Sequence, residues 1–134
     1  MNKTILMLLL AAMSNAAMAE WVRIGSDDVS DHYVDPSTIR KNGKAVKMWG
    51  MTDYKEPRVE NFGTINSTKS QWEHDCTEER NRLLFITVYS GHMGSGKRNS
   101  SASGPSNWEP IIPGTVGETS WGVACGNIKL KQMQ

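Results

Sequence analysis

From Ser67 to Cys76 the odd positions Lys69, Gln71, Glu73 and Asp75 are polar, and the even positions include Trp72 and Cys76. A period of two is that of a half-buried β-strand, here with Cys76 turned inward. Thr77-Glu78-Glu79 is turn chemistry. Arg80–Ser90 then carries Leu83, Leu84, Phe85, Ile86, Val88 and Tyr89, apolar toward both faces. β-branched and aromatic residues dominate its second half, so it reads as the central strand. A strand, a tight turn and a strand buried on both sides commit the chain to an antiparallel sheet, around which the other segments have to be placed.

The earlier segments supply further strands. Trp21–Ile24 is a short alternating run followed by the turn residues Gly25-Ser26-Asp27-Asp28. His32–Val34 reads as a second short strand, ended by Asp35-Pro36 because proline has no N–H to give to a ladder. Asn42-Gly43 is the strongest hairpin signal in the chain. It leads into a strand over Ala45–Tyr54, with Val46, Met48, Thr52 and Tyr54 on one face and Lys47, Trp49, Met51 and Asp53 on the other. Gly50, in mid-strand, marks a bulge or a close approach. Residues 57–66 read as an irregular loop. Residues 91–107, rich in glycine and serine, read as a long flexible hairpin or loop.

One helix is expected. Thr115-x-x-Glu118, after Pro113-Gly114, is a capping box, and Gly126 suits the C-terminal cap. Gly117, Trp121, Ala124 and Cys125 share a helical face. Gly117 and Gly122 each cost about 1 kcal/mol relative to alanine, so a helix this short needs outside support. Trp121 packed on the sheet and Cys125 tied to Cys76 would supply it, with Trp72 and Trp121 around the bridge. Residues 127–134 read as a polar tail. The predicted class is α+β: an antiparallel β-sheet with one C-terminal α-helix pinned by a disulfide.

Whether that disulfide forms depends on the compartment. Asn2-Lys3, the apolar run Ile5–Met13 and the small-x-small site Ala17-Met18-Ala19 make a secretory signal peptide over residues 1–19, leaving a mature domain over 20–134. The apolar run falls short of the roughly 20 residues of a span. No later segment approaches that length, so no transmembrane segment is expected. No cysteine lies at the cut, which argues against a lipid-modified N-terminus. In an oxidising compartment Cys76 and Cys125 pair, and closing so long a loop stabilises the fold by roughly 3–4 kcal/mol. Two free thiols or half of a metal site are the alternatives, the latter weakened by the lack of any CxxC or HxxxH companion.

The charges and motifs exclude more chemistry than they suggest. The chain has 15 basic and 14 acidic residues, and Lys3 leaves with the signal, so the mature part is balanced. That argues against a nucleic-acid partner. Gly91-x-x-x-x-Gly96-Lys97-Arg98 approaches a phosphate-binding loop, but Arg98 stands where a magnesium-binding Ser/Thr belongs, and no helix-forming sequence follows. His32, His74 and His92 lie in separate segments without ligand spacing; His74 and His92 are the candidate haem ligands. Glu73, Asp75, Glu78 and Glu79 with Arg80 and Arg82 read as a solvated, self-paired hairpin tip. Trp21, Trp49 and Trp108 either fill the core or mark a binding surface. No nucleophile–base set stands out, so no enzyme activity and no cofactor or metal are expected. Arg80, Arg82, Lys97 and Arg98, with aromatics nearby, are the candidate partner-binding residues.

Tyr33-Val34-Asp35-Pro36-Ser37-Thr38-Ile39, Val46-Lys47-Met48-Trp49 and Tyr54 form one recognisable set. Glu73-His74-Asp75-Cys76 with Arg80-x-Arg82-Leu83-Leu84 forms another. The longest is Trp108-Glu109-Pro110-Ile111-Ile112-Pro113-Gly114-Thr115-Val116-Gly117-Glu118, then Trp121 and Ala124-Cys125. Together they resemble the surface-adhesin protein E family of Gram-negative bacteria over nearly all of the mature part. The resemblance implies an antiparallel sheet with a disulfide-held C-terminal helix, display at the cell surface, and binding of host proteins such as laminin and vitronectin. For the family's namesake, a lipoprotein, it also implies haem. The function expected is an exported binding module, in the periplasm or at the cell surface, with a periplasmic small-ligand or haem-binding protein as the alternative. N-terminal sequencing of the exported protein is expected to begin at Glu20; a full-length chain retained in the membrane would contradict the signal-peptide reading.

Overall fold

The computed structural model describes residues 20–130; the signal-peptide reading lies outside them. Seven strands run as β1 (Val22–Ser26), β2 (Ser30–Asn42), β3 (Ala45–Glu60), β4 (Gly63–Asp75), β5 (Arg80–Tyr89), β6 (Arg98–Ser103) and β7 (Glu109–Pro110), followed by α1 (Val116–Ala124). Each strand from β2 to β6 turns back antiparallel on the one before. β6 covers Phe85–Tyr89 along the far side of β5, and β7 takes up Arg80 and Asn81.

Local chemistry sets the turns. Asn42 pairs with Ala45 around Gly43-Lys44, and Gly43 has φ +64°, a conformation that glycine adopts without strain. Asp75 Oδ1 accepts the N–H groups of Thr77 and Glu78 at 3.0 Å each and so shapes the β4–β5 turn. At the start of α1, Thr115 Oγ1 accepts the Glu118 N–H at 3.3 Å, and Glu118 Oε1 accepts from Gly114 N. Gly126, at φ +79°, follows its end as expected.

Pairing runs further than the sequence suggested. β2 does not end at Asp35-Pro36: the register shifts between Asp35 and Arg40, and the bulge accommodates the proline while the strand continues to Asn42. The segment read as a loop over 57–66 is a hairpin, Glu60 pairing with Gly63 and Val59 with Thr64. Within the glycine- and serine-rich stretch, Arg98–Ser103 forms β6. In each case the partner strand supplies hydrogen bonds that local propensity does not report.

The sheet has two unlike faces. On one, Val34, Val46 and Met48 pack with Val123 and Ala124 of α1, and Ile24, Ile39 and Cys76 flank them. Ile128 and Leu130 join them, so the segment read as a polar tail contributes to the core. Gly122 makes this possible: a Cβ there would meet Ile128 Cδ1 at 2.5 Å. The Cys76–Cys125 disulfide is formed, and Trp121 Nε1 donates to the Asp75 carbonyl at 2.9 Å, so two bonds tie α1 to the end of β4. The other face carries Trp49, Lys69, Phe85 and Tyr89; among the described residues no α-helix lies over it, and the 3-10 turn His92–Gly94 packs at one end, where Gly94 N donates to Ser67 Oγ. Cys125→Ser is expected to lower stability by about 2–4 kcal/mol and to reduce helical circular dichroism. Urea titration of both proteins, with and without reductant, checks this; equal midpoints would contradict it.

Candidate functional site

The four candidate basic residues fall into two groups at opposite ends of β5. At one end, register places Arg82 opposite Glu73 and Arg80 opposite Asp75, on the face away from the helix. Arg82 Nη2 and Nε both reach Glu73 Oε1, at 2.6 and 2.8 Å, and Arg80 Nε reaches Asp75 Oδ2 at 3.1 Å. The Trp108 ring lies over both guanidinium groups, 4.7 Å from that of Arg80 and 4.3 Å from that of Arg82. The charges are self-paired as the pattern suggested, and Glu78 and Glu79 at the tip are exposed, but Glu73 and Asp75 are only 6 % and 8 % exposed, so this part of the cluster is buried rather than solvated. The Glu78 N–H, then the Thr77 N–H and Arg80, hold the Asp75 carboxyl below its ordinary value against the opposing effect of burial. Arg80 and Arg82 are thus committed to carboxylates and to an aromatic ring.

At the other end of β5, Arg98 pairs with Tyr89, and Lys97 beside it is exposed. Lys69, which the sequence marked only as a polar strand position, is the central residue here. Its Nζ lies 5.7 Å from the Trp21 ring centre and 5.3 Å from that of Tyr89. Trp49 and Phe85 meet edge to face at 6.0 Å. These side chains and Arg98 line a shallow hollow of about 310 Å³. Asp35, also in its lining, accepts the N–H and hydroxyl of Ser37 instead of pairing with Lys69. Among the described residues Lys69 and Arg98 have no carboxylate partner. The available signal was the period of two, which gives Lys69 the same face as Gln71; that Trp49 and Phe85 pair with Gln71 on that face is set by register across the sheet.

The glycine loop uses its own amides. Gly91 N donates to Ser95 O, Gly94 N to Ser67 Oγ, Lys97 N to Ser90 Oγ and Met93 N to Asp53 Oδ1. A phosphate cradle needs such N–H groups free. His92, in the 3-10 turn His92–Gly94, is exposed and meets Asp53 Oδ1 through Nδ1 at 3.1 Å.

His74 has a different setting. It lies at the opposite end of β4 from the 3-10 turn, 1 % exposed, and neither ring nitrogen has a hydrogen-bond partner among the described residues. It lines a cleft of about 640 Å³ on the helix face, with Trp72, Ile86 and Val116 among the walls. Burial without a partner lowers its pKa to about 4, from an ordinary value near 6.5. His32 lines the same cleft. With Ser30 and Asp27 it has the composition of a hydrolytic triad, which the sequence reading passed over. Its geometry is different: Ser30 Oγ at 3.1 Å and Asp27 Oδ2 at 3.0 Å meet the same nitrogen, Nε2, and Nδ1 faces Thr52 Oγ1 at 3.4 Å. A relay needs serine and carboxylate on opposite nitrogens. The arrangement stabilises the β1–β2 turn, and His32, then the Val29 and Ser30 N–H groups, hold Asp27 far below the ordinary carboxylate range.

A meander with one C-terminal helix, bridged from the end of β4, now has known counterparts. The sequence model of the surface-adhesin protein E family matches residues 21–126. The chain belongs to the surface-adhesin protein E family. Crystal form II of Haemophilus influenzae protein E superposes with a TM-score of 0.65 at 12 % identity, over 84 % of this chain and 91 % of that one. Protein E from non-typeable Haemophilus influenzae gives 0.60 at 15 % identity, over 84 % and 80 %. No curated protein sequence matches the chain. At these identities the solved adhesins fix the fold and not the ligand. Haem, expected from the family's namesake, fits the cleft of this adhesin-family member poorly: the lining offers no lysine or arginine for propionates.

The His74 shift has a consequence for stability. Protons bind the unfolded chain near pH 6.5 but the folded one only near pH 4, so folding is favoured above that window and weakened as pH falls through it. The loss is on the order of 3 kcal/mol across the window. His74→Leu is expected to flatten it, leaving Asp27, Asp31 and Asp75 to govern the limb below their ordinary value of 3.8. Thermal melts of both proteins across this range test the expectation; parallel pH profiles would refute it.

Proposed function

We propose that this member of the adhesin E family is an exported, non-catalytic binding module that works at the cell surface, and that its ligand is an acidic stretch of a host matrix protein of the laminin or vitronectin kind. The observation that carries this is Lys69 and Arg98, two cations without carboxylate partners, set among Trp21, Trp49, Phe85 and Tyr89 on the helix-free face. Aromatic side chains and arginine are enriched where proteins meet, and unpaired cations add steering toward an acidic partner. Lys97 extends the positive charge beside Arg98. Arg80 and Arg82 stand apart from this surface, held by Glu73, Asp75 and the Trp108 ring at the other end of β5. The edge strands β1 and β6 offer further backbone groups for an added strand.

The test is binding of the mature protein to immobilised laminin and vitronectin, with protease shaving of intact cells to locate it. Lys69→Met keeps the aliphatic stem and removes the charge. Combined with Arg98→Gln it is expected to weaken binding by roughly tenfold or more, with a shallower salt dependence. Unchanged affinity, or a protein protected from protease in intact cells, would defeat the reading. A second reading, a small-ligand protein, is favoured by one observation, the cleft that His74 lines on the opposite face.

A further inference from the structure

The cleft beside α1 joins three observations. Its volume, about 640 Å³, falls within the roughly 300–1,000 Å³ of small-molecule sites. Its walls are largely apolar, through Ile24, Trp72, Ile86, Ile111 and Val116, and its lining holds no lysine or arginine. It also includes His74, whose Nδ1 and Nε2 are buried without partners among the described residues. Buried polar groups almost always have a hydrogen-bond partner. An orphaned imidazole in the lining of a cleft is a group for which a ligand can be that partner.

We propose that this cleft binds an uncharged apolar molecule of the long-chain alcohol class, with the hydroxyl hydrogen-bonded to His74. This rests on the small-ligand reading and is independent of the helix-free face. Charge decides the class. An anionic head would be desolvated with no cation to meet it, and Glu109, the one carboxylate in the lining, opposes it further. A neutral imidazole has one donor and one acceptor nitrogen, and a hydroxyl both donates and accepts, so it can pair with the ring nitrogen it meets in either tautomer. Burial keeps His74 neutral through the physiological range. The methylene chain lies against the apolar walls, where each buried CH₂ strengthens binding by about threefold to fourfold.

The experiment is calorimetric titration of the mature protein at neutral pH with the straight-chain alcohols from hexanol to dodecanol and with the matching carboxylates. At least one alcohol is expected to bind in a single site, and its carboxylate at least tenfold more weakly. His74→Leu is expected to cost roughly tenfold in affinity, the worth of one buried hydrogen bond. Gly117→Leu is the second variant. A Cβ at Gly117 meets only Thr115 Oγ1 at 3.5 Å and Asn81 Nδ2 at 3.7 Å, so the helix accepts it, and the rest of the side chain fills space that Gly117 now lines. It is expected to fold and to lose alcohol binding. Absence of binding by every alcohol, tighter binding of the carboxylates, or full affinity in Gly117→Leu would overturn the proposal. Haemin binding that depends on His74, without alcohol binding, would keep the small-ligand reading and overturn the uncharged class.

Discussion

Two bonds fasten the helix to the sheet, both at one place. The Cys76–Cys125 disulfide and the Trp121 indole N–H on the Asp75 carbonyl both fasten α1 to the end of β4. Nine helical residues reach roughly 14 Å, whereas the sixteen of β3 extend over roughly 50 Å. A helix fixed at one end and that short cannot cover the face it lies on. Val34, Val46 and Met48 are sealed beneath it, and the remainder of the face opens into the cleft. The bridge therefore does more than restrict the unfolded chain. It determines where the core stops and where accessible apolar surface begins.

The other face solves a related problem without a helix. Antiparallel sheets tolerate one face toward water if polar groups occupy it. Here the polar groups near β7 are two buried carboxylates, which need partners once desolvated. The guanidinium groups of Arg82 and Arg80 supply them from the neighbouring strand, and Trp108 closes over both. Removing either arginine would leave a carboxylate buried and uncompensated, which costs more than the pair contributes. At the far end of β5 the same alternation delivers cations to aromatic rings but brings no carboxylate to Lys69 or Arg98. One end of the face is thus internally neutralised, and the other retains charge for a partner.

What the sequence revealed was what neighbouring residues decide. The Asn42-Gly43 turn, the Thr115–Glu118 box and the Gly126 cap rest on local hydrogen bonds and one backbone angle, and each was legible. The cysteine pair was legible because compartment and count leave few alternatives. Pairing across the sheet was not: nothing within 57–66 or 98–103 announces the strand that will bond to it, and Pro36 looks like a terminator until a bulge receives it. Burial of Glu73 and Asp75 was hidden for the same reason, because Trp108 comes from more than thirty positions later in the chain. At the candidate sites, His74 was singled out as a possible ligand, but the burial and lack of partners that distinguish it from His92 are properties of the fold.

β4 carries both candidate surfaces, and its period of two keeps them apart. His74 faces the helix and the cleft, while its neighbours Glu73 and Asp75 face Arg82 and Arg80. Trp72, Ser70 and Thr68 line the cleft, and Lys69 lies between them in sequence but under Trp21 and Tyr89 on the opposite side. Side chains on opposite faces of a strand communicate only through the backbone that joins them, and ladder hydrogen bonds to β3 and β5 hold that backbone on both sides. The two surfaces should therefore behave as nearly independent sites, with effects that add when one residue on each face is changed. A shift of register by one residue would exchange every one of these roles at once, moving Lys69 into the cleft and His74 out of it. The disulfide guards against this, because Cys76 reaches Cys125 only when β4 ends with that side chain on the helix face.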